Sequence, residues 1–109
     1  MESNKPKIII DFYKLSKELQ EQVKLVYPDG FVDNLIYFKN AKGQEISALR
    51  FETNEKVYML RMSVQMAFEI LENDEDYDDD HILISRVKKS YEEKYSDVEY
   101  LMENEDLDE

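Results

Sequence analysis

The chain has 109 residues, 42% of them apolar and thirteen aromatic, which is material for one small core. It contains no cysteine, so disulfides, thiolate metal sites and cysteine nucleophiles are excluded. The formal net charge of -12 is unevenly placed: residues 1–71 carry ten acids and ten bases, whereas residues 72–109 carry sixteen acids against Arg86, Lys88, Lys89 and Lys94. A neutral body with an acidic arm is the expected organisation.

Residues 1–7 are polar, and the apolar run behind them, Ile8-Ile9-Ile10, is too short for a signal-peptide core or a membrane span. A cytoplasmic protein without a membrane partner is expected. Ile8, Ile10 and Phe12 alternate with Lys7, Ile9 and Asp11, the period of a half-buried strand. Ser16 can cap a helix with Glu18 in its first turn, and Leu15, Leu19, Val23 and Val26 recur at helical spacing until Pro28 stops it and Asp29-Gly30 turns the chain.

Period two returns over residues 35–39, 45–52 and 57–62. The connections at 40–44 and 53–56 are short, so the three strands should form an antiparallel meander. Ser63 then reads as a second helix cap, with Val64, Ala67, Phe68 and Leu71 on one side. Seven of the nine residues from 72 to 80 are acidic. Alternate carboxylates about 7 Å apart repel by roughly 0.6 kcal/mol even in water, which predicts a solvated loop. Beyond it, Ile84, Val87, Tyr91, Tyr95, Val98 and Met102 predict a third amphipathic helix over about 82–102, with residues 104–109 as a disordered acidic tail.

The expected fold is thus a single α+β domain over residues 1–103. Its order is β-α-β-β-β-α, with a mixed or antiparallel four-stranded sheet, helices mainly on one face, and the further helix after the acidic loop. One sheet face carries Leu49, Phe51, Tyr58, Leu60 and Met62 for the first two helices. The opposite face offers Ile46, Ala48, Val57 and Met59, edged by Arg50 and Arg61. The third helix is expected to cover that second face; otherwise a partner or second subunit docks there.

Few constellations carry chemistry. Asp74, Asp76 and Asp78 occupy the first, third and fifth places of a calcium loop, but the sixth is Asp79 instead of glycine and the twelfth is Ser85 instead of glutamate. His81 is the lone histidine, so neither a histidine-based triad with a second imidazole nor a multi-histidine zinc site can be built. Gly30 and Gly43 stand apart, which excludes a P-loop and a dinucleotide fingerprint. The basic residues Arg86, Lys88 and Lys89 are followed one helical turn on by Glu92 and Glu93, a pattern of surface pairing. Direct nucleic-acid binding is not expected.

Tyr27-Pro28-Asp29-Gly30, Phe38-Lys39-Asn40-Ala41-Lys42-Gly43 and residues 53–63, followed by a helix and an Asp-rich segment, resemble a family of short acidic bacterial proteins of largely unassigned role, some of them labelled DNA primase. The resemblance spans roughly residues 7–80, and its motifs are turns and strands. It implies at most an accessory association with replication. Primase chemistry itself would need a cysteine-rich zinc ribbon and a magnesium-binding carboxylate cluster on strand ends, neither of which this sequence offers. The chain also departs from the family pattern in placing a helix where an acidic tail would follow.

The function expected from these residues is a noncatalytic interaction or regulatory module, without cofactor, metal site or catalytic residues. Glu72, Asp74, Glu75, Asp76, Asp78, Asp79 and Asp80 are the candidate partner-binding side chains, meeting a basic protein surface. Two alternatives remain open. One is a small carboxylate-based enzyme, metal-assisted or not, with Asp76 and Asp78 as its first candidates; the other is a homodimeric structural protein. Monomer and homodimer are both compatible with the sequence.

Overall fold

The computed structural model of the protein describes residues 5–101, so the expected tail at 104–109 lies outside the described residues. Four strands, β1 (Lys7–Ile10), β2 (Ile36–Lys39), β3 (Glu45–Glu52) and β4 (Val57–Arg61), form one mixed sheet in the order β1-β4-β3-β2. The meander is antiparallel as expected, with Phe38 opposite Ile46 and Leu49 opposite Leu60. Its turns are held by side chains competing for backbone donors: Asn40 Oδ1 accepts from Lys42 and Gln44 N–H, and Thr53 Oγ1 from Glu55 and Lys56 N–H. Strand β1 lies parallel to β4 on the sheet edge, Lys7 opposite Val57 and Ile10 opposite Leu60.

Helix α1 (Lys17–Val26) starts at Ser16, whose hydroxyl accepts from Leu19 N–H at 3.2 Å, and α2 (Val64–Glu72) starts at Ser63, which accepts from Met66 N–H at 3.0 Å. After α1, Gly30 adopts a φ of +106°, and a Cβ there would stand 3.3 Å from both the His81 carbonyl oxygen and the Leu71 side chain. Glycine is therefore required twice over, by the backbone and by the close approach of the segment that follows α2.

The main core lies between the helices and one sheet face. Phe31, Phe51, Leu49, Leu60, Met62, Leu71 and Val23 are all fully buried there. Helix α2 turns differently from the expected stripe: Ala67, Ile70 and Leu71 are buried, while Val64 and Phe68 remain 48% and 50% exposed. The stripe is set by what α2 lies against, and Ile70 takes the inward place assigned to Phe68.

The third helix departs from expectation in extent and in position. Helix α3 spans Ser85–Lys94; the chain then turns over 95–97 and resumes helical form at 99–101. It packs against α1, on the same side as the main core, and not on the second sheet face. The break follows from side-chain demands, because Tyr95 and Tyr100 each direct a hydroxyl to the α1 polar face, to Glu21 and Gln22. Ser96 and Asp97 at the break favour local non-helical bonding.

The second sheet face holds a small cluster of its own, Ala48, Val57 and Met59 with Phe38 packed against them, and no helix among the described residues contributes to it. Around that cluster Lys7, Arg50 and Arg61 are exposed, and Ile9 and Ile36 are 51% and 40% exposed at the two edges. No helix of the described residues is long and apolar enough to cross a membrane.

The burial pattern sets a contrast in stability. Truncating Leu49 to alanine should cost about 2–5 kcal/mol, whereas Phe68→Ala should cost about 1 kcal/mol or less. Urea denaturation followed by circular dichroism measures both, and comparable losses would contradict the placement of α2.

Candidate functional site

The acidic segment does not stand off in solvent as one loop; it divides into an inward and an outward part. The inward part wraps Lys24 of α1. Lys24 Nζ lies 2.7 Å from Asp74 Oδ2 and 2.8 Å from Asp76 Oδ2, and Tyr91 of α3 donates its hydroxyl to the same Asp76 oxygen at 2.7 Å. The side chains of Lys24, Asp74 and Asp76 are only 10%, 15% and 23% exposed, so this cluster is far better shielded than an ordinary surface pair. Directly after Asp76, Tyr77 turns into the core and donates to the Tyr27 carbonyl at 3.0 Å.

Electrostatics follow from the geometry. Burial alone would raise the Asp76 carboxyl, but the Lys24 and Tyr91 hydrogen bonds and the Lys24 charge outweigh it and hold the group below the usual aspartate range. Burial would likewise lower Lys24, and the two aspartates reverse the sign and raise it. Tyr91 is pushed up, first by burial and then by its bond to ionised Asp76.

A second contact of the same kind lies along α1. Glu21 is buried, and its Oε1 accepts from Tyr95 at 2.5 Å and Lys94 at 2.9 Å. Burial opposes its ionised form, yet the Lys94 and Tyr95 bonds keep it below the normal glutamate range, while Tyr95 is pushed up to about 12 by burial and by Glu21. Gln22 is buried too and accepts from Tyr100. A polar concavity of about 360 Å³ opens beside this seam, bordered by Tyr13, Lys17 and Gln20 as well as Lys24 and Asp76.

The outward part is a tight turn. Asp78 Oδ1 accepts from Asp80 N–H at 2.8 Å and Ile82 N–H at 3.0 Å, and His81 takes a φ of +63°. A bridge between Tyr77 and Leu83 closes the turn, and Leu83 N–H bonds the Pro28 carbonyl at 2.8 Å. His81 Nε2 sits 2.7 Å from Glu72 Oε2, and its ring meets Phe68 edge-on with centroids 4.8 Å apart. Glu75, Asp78, Asp79 and Asp80 are exposed and make no ion pair among the described residues.

Of the seven acids singled out from the sequence, the fold thus commits Asp74 and Asp76 to Lys24 and Glu72 to His81, and displays the other four. It does not gather them around an ion: among the described residues no group of three or more His, Cys, Asp or Glu is placed to hold a metal. Lys24, Glu21, Gln22, Tyr91 and Tyr95 were not legible as a set. The available signal was the run of tyrosines in the third helix, since a buried tyrosine hydroxyl requires a partner. Which of 26 acids it would find is a tertiary matter.

Comparison with protein-family models, with curated proteins and with solved structures finds no match to this chain. Function must therefore be read from the chain's own geometry.

Removing the charge at Lys24 tests the inward cluster. Lys24→Met should cost about 2 kcal/mol, between the surface and fully buried limits, and Asp76→Asn added to it should recover part of the loss. The pH dependence has a definite sense. Asp76 and Glu21 are depressed in the folded chain, so their contribution is full above the unfolded carboxylate values of about 4 and is lost as pH falls through the lower folded values. Tyr95 is raised, so its contribution is intact below its unfolded value of about 10 and is lost as pH rises toward about 12. Denaturation midpoints across pH should fall at both ends, and Tyr95→Phe should flatten the alkaline limb.

Proposed function

We propose that the protein is a noncatalytic interaction module that engages a basic protein surface through its acidic turn. One observation carries this reading: the Asp78 side chain bonds two backbone donors and so fixes the turn, which holds Asp79 and Asp80 outward beside the half-exposed Phe68 and Ile82. Preorganised charge next to apolar surface supports recognition in two ways. The carboxylates steer and orient a basic partner, and Phe68 and Ile82 provide area that can be desolvated. Asp74 and Asp76, satisfied by Lys24 and Tyr91, are left out of the contact and act as its scaffold.

Nothing in the geometry favours the enzyme alternative over this one. Asp76 is ion-paired and Asp78 is spent on the turn, so the two carboxylates first considered for catalysis already have structural tasks.

The test compares two double variants of equal charge change as baits for proteins in cell extract. Asp79→Lys with Asp80→Lys should lose the basic partners retained by the unaltered chain at 0.1 M salt. Glu45→Lys with Glu55→Lys, in exposed positions at the start of β3 and in the turn that follows it, should retain them. Partners should also dissociate at 1 M salt, where the screening length falls from about 10 Å to about 3 Å. Equal loss with both variants would mean that net charge, and not the turn, governs binding.

A further inference from the structure

The molecule carries two surfaces of opposite character. The acidic turn with Phe68 and Ile82 belongs to the helix layer, where Tyr77 and Leu83 anchor it in the main core. The second sheet face looks the other way. Its charges are the exposed Lys7, Arg50 and Arg61 and the half-buried Glu52, a local excess of cations in a chain of net charge -12. Its exposed apolar groups are Ile9 and Ile36. Arg50 is paired with Glu52 at 2.9 Å, while Lys7 and Arg61 make no ion pair among the described residues.

We propose that the second sheet face of one chain receives the acidic turn of a second copy, giving head-to-tail association. This rests on the reading of the acidic turn as a docking element and names one partner for it. Two arguments select this arrangement. Face-to-face pairing of two copies would set cations against cations, whereas turn against face sets the acidic Asp79 and Asp80 against a face whose exposed charges are cationic. The turn and the face also lie on opposite sides of the sheet, so a single chain cannot bring its own turn onto its own face, and the contact must be intermolecular. Such a contact uses a different patch on each copy, and it extends into rings or open chains unless one patch is blocked. At physiological salt the screening length of about 8 Å confines the repulsion between remote acids while the touching pairs keep most of their attraction.

At 0.15 M salt, sedimentation velocity should show the average mass rising above 13.1 kDa with concentration up to 1 mM, without a plateau at the dimer. A face variant, Lys7→Glu with Arg61→Glu, and a turn variant, Asp79→Lys with Asp80→Lys, should each remain monomeric although the second has the smaller net charge. Mixed in equal amounts, they should associate again, because the intact turn of the first meets the intact face of the second and the two charge-reversed patches complement each other as well. Circular dichroism melting confirms that each variant is folded before mixing. A monomeric wild-type chain at 1 mM, or a mixture that fails to pair while the wild type associates, overturns the proposal. The reading of the turn as a docking element for other proteins fails separately, if extract partners survive Asp79→Lys with Asp80→Lys.

Discussion

The structure depends on one ammonium group. Lys24 leaves α1 away from the apolar stripe of Leu19, Val23 and Val26, and two aspartates from a distant part of the chain close on it at 2.7 and 2.8 Å. Without that cation, Asp74 and Asp76 would be two carboxylates drawn close together in a partly shielded site, a costly arrangement. With it, the segment after α2 is tied down to α1, Tyr77 can enter the core directly after the second acid, and the following turn and α3 acquire fixed positions. Tyr91 adds a tie from α3 to the Asp76 oxygen that Lys24 also meets. Glu21 and Gln22 repeat the principle one helical turn away with Tyr95, Lys94 and Tyr100. A buried polar seam therefore fastens the C-terminal third to the body, and every side-chain nitrogen or oxygen buried among the described residues finds a partner.

This seam divides the acidic charge by task. Carboxylates that meet Lys24 are neutralised locally and serve the fold. Those past Tyr77 are turned outward by the Asp78 side chain, and their mutual repulsion is tolerated because the turn exposes them to water. The same -12 that reads as a uniform acidic arm is thus partly structural and partly displayed. The displayed part lies in a turn closed by the Asp78 side chain.

Because α3 is fastened to α1, it is unable to cover the far side of the sheet. That face solves its own problem in part: Phe38 packs against Ala48, Val57 and Met59, and the three are buried although no helix of the described residues contributes to their cluster. What remains outside is a ring of charges with isoleucines at the edges. The sidedness of the molecule, acidic on the helix layer and locally basic on the bare sheet, is a consequence of where one helix docked.

Local interactions were legible in the residues themselves. The period-two segments, the Ser16 and Ser63 caps, the stop at Pro28 and the short turns gave β1 to β4, α1 and α2 in order, because each depends on neighbours within a few positions. Three features depended instead on contacts between residues far apart in the chain. The parallel placement of β1 beside β4 joins residues 50 positions apart, such as Lys7 and Val57, and the strand's own pattern does not specify it. The inward face of α2 was decided by what lay beneath Ile70. The division of the third helix at Tyr95 was decided by two hydroxyls reaching Glu21 and Gln22, partners that no spacing along the sequence can identify. Periodicity reports which side chains are apolar, whereas the destination of a buried charge or hydroxyl is set by the one place in the folded chain where its complement waits.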